Sequence, residues 1–268
     1  MTIHFAVVNY FGSGSLATLV ASLRRQTDSA WALTVVDNSG DPDEAQVITA
    51  LISGLRARIV VSEWNSGYMN GASQAKPDED EDWFVVSNAD IEYHPEFVAN
   101  LRATHMSGVG VVAPRIIENG REMNPYMTRR PSLASLKRIE KLFRWPIVAR
   151  AYILLSHLTS KFRRQHEVPA VAAEIYAGHG SCFALSRYFF QRGGSLDHPV
   201  FLFNEELTIA ERCRKLGLRV VFEPRLRVQH IGHQATGIWR SRQMLEWQRE
   251  ATTYGVRLIG ESVDGAAP

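Results

Sequence analysis

The stretch "IHFAVVNYFGSGSLATLVASLRRQT", residues 3–27, followed by "LTVVDNSGDP", residues 33–42, decides the fold. Ile3–Val8 is a short apolar run, and a run without polar alternation is what a strand buried on both faces requires. Gly12-Ser13-Gly14 makes a turn, after which Leu16, Leu19, Val20 and Leu23 recur at the spacing of one helix face. Leu33–Val36 is a second buried strand, stopped by Asp37-Asn38-Ser39-Gly40-Asp41-Pro42. Strand, helix and strand in this order predict two parallel neighbours with the helix packed across them.

The alternation continues outward. Val47, Ile48, Leu51, Ile52 and Leu55 mark another amphipathic helix. Arg58–Ser62, Trp83–Ser87 and Val109–Pro114 read as further strands, the last after a helix near Pro95–His105. The fold class is therefore α/β, a Rossmann-like, mainly parallel sheet flanked by helices. Ligands of such sheets bind beyond the carboxyl ends of the strands. Asn9-Tyr10, Asp37-Asn38, Asn65-Ser66-Gly67 and Asn88-Ala89-Asp90 all follow strands and should converge on one crevice.

The bulk composition is that of a globular protein, with 45% hydrophobic and 22% charged residues and a net charge of +2 that specifies no partner. Cys182 and Cys213 form no CxxC pair and are too few for a disulfide framework, so a reducing compartment is expected. No basic leader precedes Ile3–Val8, and no apolar run approaches the ~20 residues that span a bilayer. A cytoplasmic location is expected.

The charge is unevenly spread. Arg129–Arg164 holds ten basic residues and one acid, Glu140, a net +9 that leaves about −7 for the rest of the chain. Trp145, Phe143, Tyr152 and many aliphatic residues are interleaved with the cations. This is the composition of a basic amphipathic segment lying on an anionic membrane, here on the inner face of the plasma membrane. A helical insertion with a solvated basic face has the same composition. No recognised nucleic-acid motif accompanies the patch, so nucleic acid is not an expected partner. Four regions follow: residues 1–115, a basic insert over 116–172, a second half over 173–238, and a C-terminal helix and tail over 239–268. In the third, "IYAGHGSCFALS" reads as a loop entering a strand, "FLFNEELTIAERCRKLG" as a helix stopped by Gly217, and Arg219–Phe222 as a strand.

Several polar residues carry two readings each. Asp37 is a turn residue bonding its own backbone or a carboxylate for a ribose hydroxyl or base N–H, with Tyr10 beside it suited to stacking. Asp90 caps a turn or binds a hard divalent cation that takes its remaining ligands from phosphates and water. His230 could add a nitrogen ligand, which Mn²⁺ accepts more readily than Mg²⁺. Glu205 and Glu206 open a helix, as dipole partners or as a general base.

Taken in order, these segments resemble glycosyltransferase family 2, inverting enzymes of the GT-A fold. "TVVDNSGD" resembles the family's VVDNxSxD segment, "NSGYMNGASQA" its NxGFAxGxN stretch, and "VVSNADI" the NPD form of its DxD motif. "GHGSCFALSR" resembles the acceptor-side GxxxLxRR element, "FNEELTIAERCRKLG" the EDxDLxxRxxxxG helix, and "RVQHIGHQATG" the closing xHxxGxSTG. The likeness covers roughly residues 3–237 and omits most of the basic insert.

The resemblance implies a metal-dependent glycosyltransferase. It puts Asn9, Tyr10, Asp37, Asn65, Gly67 and Asn88 on the nucleotide, and Asp90 and His230 on Mg²⁺ or Mn²⁺. Glu206 becomes the base with Glu205 beside it, and His179, Gly180 and Ser181 fall on the acceptor side. The implied donor is a nucleoside-diphosphate sugar, dTDP-rhamnose or a UDP-sugar. The implied acceptor is a glycan or a polyprenyl-diphosphate-linked sugar of a bacterial envelope polysaccharide. Two other functions share these needs: nucleotidyl transfer, and sugar-nucleotide binding by a membrane-docked protein without activity. The chain departs from the family pattern in having Glu206 for Asp, Thr208 where a second Asp is common, and Asn70 and Ser73 within the Gly/Asn stretch.

Overall fold

The computed structural model describes residues 2–76, 81–160, 168–232 and 241–264. Its strands are β1 (Ile3–Asn9), β2 (Trp31–Asp37), β3 (Ala57–Val61), β4 (Trp83–Asn88), β5 (Ile91–Tyr93), β6 (Val109–Glu118), β7 (Arg121–Glu122), β8 (Ala173–Ile175), β9 (Cys182–Ser186) and β10 (Arg219–His230). Its helices are α1 (Ser13–Arg24), α2 (Pro42–Ile52), α3 (Tyr68–Ser73), α4 (Phe97–Arg102), α5 (Leu133–Phe143), α6 (Pro146–Ser160), α7 (Arg187–Gln191), α8 (Glu205–Lys215) and α9 (Arg242–Asp264).

All strands form one sheet, in the order β3-β2-β1-β4-β9-β6-β10-β5, with β7 on β6 and β8 on β10. β3, β2, β1 and β4 are parallel, and β6 is parallel to β10. β9 runs antiparallel between β4 and β6, so those two strands share a direction and the sheet is mainly parallel. The opening βαβ unit forms as its sequence predicts. In α1 the face of Leu16, Leu19, Val20 and Leu23 is buried against the sheet. Asp41 caps α2 by accepting from the amides of Asp43 (2.8 Å) and Glu44 (3.1 Å), and Pro42 opens that helix without an amide to satisfy. Each fully buried Leu, Ile or Phe of these faces stabilises the fold by about 1.5–3 kcal/mol.

The structure departs from the sequence reading in its shorter and longer elements. The strand expected to stop at Pro114 continues to Glu118, across the expected 115/116 boundary, so both halves share the sheet. The strand expected over Arg219–Phe222 runs to His230, interrupted by a register shift between Glu223 and Arg227 that includes Pro224. A proline cannot donate to the ladder, and the irregularity accommodates it. The helix expected near Pro95–His105 is confined to Phe97–Arg102, and Ile175–Ser186 divides into β8, a loop and β9.

Within the basic insert, α5 and α6 are helical over Leu133–Phe143 and Pro146–Ser160. Phe143, Ala149 and Ile153 of its two helices pack on Leu245 of α9, with Ile139 and Leu142 at the margin. Away from this cluster the insert exposes Trp145 (66%), Ile147 (84%) and Leu155 (60%), and the cations Lys141, Arg144 and Arg150 are exposed as well. Arg130 is not one of these exposed cations. Its guanidinium forms two hydrogen bonds with the fully buried Glu211 of α8, at 2.8 and 2.9 Å. Lys161, Arg163 and Arg164 lie outside the described residues. Among those described, no helix is long and apolar enough to cross a membrane.

Candidate active site

The carboxyl ends of β1, β2 and β4 meet as expected. Asp37 is fully buried, and its Oδ1 accepts from Asn9 Nδ2 (3.2 Å) and the Ser39 amide (3.1 Å). Its Oδ2 is buried with no hydrogen-bond partner among the described residues. A buried carboxylate oxygen without a donor is costly, and a base N–H or ribose hydroxyl would supply one. Glu44 completes this corner and was not singled out from sequence. Its Oε1 accepts from Asn9 Nδ2 and the Ser13 amide, both at 2.9 Å, and its Oε2 from Ser13 Oγ at 3.0 Å. Its place on the first turn of α2 disguised it as a dipole partner. Tyr10 stands out from the strand end, 59% exposed and edge-on to Phe11 at 5.0 Å.

Asn65 and Gly67 are tied into the scaffold. Asn65 Oδ1 accepts from the Gly67 amide (3.0 Å), and Asn38 Nδ2 donates to the Gly67 carbonyl (2.9 Å). Gly67 has φ +84°, and a Cβ there would stand 2.2 Å from the Phe201 carbonyl oxygen. Only glycine fits this turn.

One short loop draws the other predicted residues together. The Ser181 carbonyl accepts from the Asn88 amide at 2.9 Å, and the Gly180 amide donates to Glu206 Oε1 at 3.1 Å. The His179 ring lies 6.4 Å from that of His230. His230 in turn sits between two carboxylates, with Nε2 3.1 Å from Asp90 Oδ1 and Nδ1 3.4 Å from Glu118 Oε1. Thus His179-Gly180-Ser181 abuts the Asn88 strand end, the Asp90–His230 pair and Glu206 at once. Glu118 was missed from sequence because the strand that carries it seemed to end at Pro114. His233 and the remainder of the closing motif lie outside the described residues.

The electrostatics follow from burial. Desolvation is the main cause that raises the carboxyls of both Glu205 and Glu206 above the ordinary 4.5, with the charge of Glu206 adding to it at Glu205. Burial lowers the pKa of His179 to about 4, helped by the charge of His230. His179 is therefore neutral. The Ser181 amide donates to its Nδ1 at 3.2 Å, which leaves the ring proton on Nε2. At His230 burial disfavours the proton, but the hydrogen bond and charge of Asp90 and the charge of Glu118 outweigh it, and the pKa is raised. Tyr68 senses both groups. Burial foremost raises its pKa, and Cys182, Glu205, Glu206 and Asp90 all act on it. Tyr126, edge-on to His179 at 5.3 Å, is raised chiefly by the charge of Glu206. Among the described residues, no three His, Cys, Asp or Glu side chains form a group that could alone hold a metal ion.

Residues 5–194 match the profile of glycosyl transferase family 2. The chain belongs to that family. Among characterised glycosyltransferases, it is 22% identical over 245 residues to the N-acetylglucosaminyl-diphospho-decaprenol L-rhamnosyltransferase of Mycobacterium tuberculosis, covering 86% of this chain and 76% of the relative. The fold is that of GT-A glycosyltransferases of known structure. S. aureus TarS matches with a TM-score of 0.58 at 11% identity, over 87% of this chain but only 37% of TarS. GalNAc-T7 with UDP, GalNAc and Mn²⁺ matches with a TM-score of 0.60 at 13% identity, over 100% of this chain and 58% of that one. TarS 1–349 in complex with UDP-GlcNAc matches with a TM-score of 0.61 at 11% identity, over 95% and 66%. The chain thus spans between about a third and two thirds of these glycosyltransferase structures.

Proposed function

We propose that this glycosyltransferase moves a sugar, rhamnose foremost, from a nucleoside-diphosphate donor to a hydroxyl of a lipid-linked glycan by one inverting displacement. The observation that carries this reading is the His179-Gly180-Ser181 loop, which adjoins both the Asp90–His230 pair and Glu206. A nucleotidyltransferase would want more metal carboxylates than this strand end offers. The rhamnosyltransferase relative, named for a decaprenyl-diphosphate-linked acceptor, favours rhamnose and a polyprenyl-linked partner here.

In this reading Asp37 receives a base or ribose donor on its unpartnered oxygen, Tyr10 stacks on the base, and Asn9, Asn65, Gly67 and Asn88 line the nucleotide. Asp90 and His230 would hold a divalent cation. One carboxylate and one imidazole suit Mg²⁺ or Mn²⁺ when substrate phosphates and water complete the shell, and the carboxylates that favour a proton on His230 would equally favour a cation. When bound, the cation supplies charge neutralisation of the departing diphosphate. Glu206, aimed by the Gly180 amide, takes the proton from the acceptor hydroxyl as that oxygen attacks the anomeric carbon. Its desolvation makes it a stronger base than an exposed carboxylate. His179, neutral, lines the acceptor side with Gly180 and Ser181. The exposed apolar side of the insert, with its cations, would rest on an anionic membrane surface and bring the site to its acceptor.

Replacing Glu206 by Gln tests the base. Transfer should fall by about 10²–10⁴-fold while a UDP- or dTDP-sugar with Mn²⁺ still raises the melting temperature. Unchanged turnover would remove Glu206 from the mechanism.

A further inference from the structure

The two residues before the catalytic glutamates have left-handed backbones, with φ +74° at Phe203 and +66° at Asn204. Asn adopts this conformation with modest cost, whereas a bulky aromatic residue does so only where its surroundings impose it. Those surroundings come from three directions. Asn70 of α3 exchanges two hydrogen bonds with the backbone of His198, each 2.9 Å, and His198 Nε2 donates to the Phe203 carbonyl at 3.0 Å. The Phe203 amide donates to Glu205 Oε1 at 2.9 Å. From α9, the Trp247 ring lies 4.3 Å from that of Phe201, and the Ala251 carbonyl accepts a hydrogen bond from Asn204 Nδ2.

Gly255 makes the last contact possible. A Cβ at that position would stand 2.9 Å from Asn204 Nδ2 and 3.2 Å from Leu207 Cδ2. A glycine inside a long helix weakens it relative to Ala, and close approach of Asn204 is what this one permits. Glu206 follows Asn204 by two residues, so the backbone setting at Asn204 fixes the direction from which α8 begins.

We infer that Asn204 is a positioning residue for Glu206, held in its left-handed setting by the Ala251 carbonyl and the bare face of α9 at Gly255. The inference rests on the assignment of Glu206 as the base. It also gives α9 a part in catalysis, although that helix lies beyond residues 5–194 that define the family match. Because α9 is also the support of α5 and α6, the insert and the base share one helix.

Two substitutions test this. Asn204→Gly keeps a residue that accepts positive φ but deletes the bond to Ala251. Gly255→Ala substitutes no site residue, favours the helix, and drives a methyl group into Asn204. Turnover is read on the most active sugar of a UDP- and dTDP-sugar panel with Mn²⁺, together with the thermal midpoint. The expected result is a fall in kcat of about tenfold or more with donor KM within about twofold, and a midpoint in Gly255→Ala that is unchanged or higher. Unchanged kcat in both folded variants, or a rise in KM alone, would overturn the inference. If that occurs while Glu206→Gln is inert, the base assignment stands; an active Glu206→Gln removes the base assignment itself.

Discussion

On the proposed nucleotide side, Asn9, Asp37, Glu44 and Ser13 hold one another across two adjacent strand ends and the helices that follow them. On the proposed acceptor side, Glu205 and Glu206 are held by Gly180 and by a strap, residues 198–204, fastened to Asn70 and Ala251, segments far apart in the chain. The first corner is built by a parallel sheet whose neighbours are fixed by the βαβ connection. The second exists only once the strap, α8 and α9 have docked. A side chain in the first corner can therefore be lost with a local effect, whereas a change under the strap disturbs the proposed base from a distance.

The sharpest way to break this contrast is Gly67→Ala, which strikes where the two regions touch. The added Cβ meets the Phe201 carbonyl at 2.2 Å on a residue at φ +84°, and overpacking with backbone strain should cost about 2–4 kcal/mol. Thermal unfolding should show a midpoint lower by roughly 5–15 °C. An unchanged midpoint would mean that the strap does not seat on Gly67.

A smaller effect should separate the regions by pH. The folded-state pKa of Glu205 is raised above its ordinary 4.5, by burial first and by Glu206 second. Stability from this carboxyl is therefore fully present below about 4.5 and is lost as pH rises through the raised value. Glu205→Gln should be nearly neutral at pH 4 and stabilising by roughly 1–3 kcal/mol at pH 9, measured by denaturant unfolding at both. A gain independent of pH would contradict the burial of that charge. By the same cause, transfer should decline as pH falls through the raised pKa of Glu206, above the ordinary carboxylate range.

The smallest effect is expected on the insert. Ile147 and Leu155 are exposed on α6, and replacing both by Asp should weaken co-sedimentation with phosphatidylserine vesicles several-fold without changing turnover of a water-soluble acceptor. Binding that neither the substitution nor added salt alters would argue against a membrane face.

What could be read in advance follows the same division. Strand ends such as Val36-Asp37 and Val86-Ser87-Asn88 advertise themselves because an apolar run must stop where the crevice begins. Asp37 and Asp90 could be singled out on that basis, and Glu206 and His230 through their order in the chain. Strands of three residues, β5 and β8, carry too little periodicity to be seen. Pro224 hid the continuation of β10. Arg130 sat in a basic run and looked like its neighbours, yet its partner Glu211 is 81 positions away. Nothing local announces a left-handed Phe203, since its conformation is imposed by contacts with α3 and α9.

Asp90 and Glu206 are proposed to serve a single reaction. The direct test is nucleotide-sugar turnover by Asp90→Asn, titrated with Mn²⁺ and Mg²⁺ beside the unaltered protein. The predicted result is loss of metal-stimulated transfer in a variant that melts normally. Metal-stimulated transfer at the unaltered rate would show that Asp90 merely caps its turn and that the cation, if one acts, is held elsewhere.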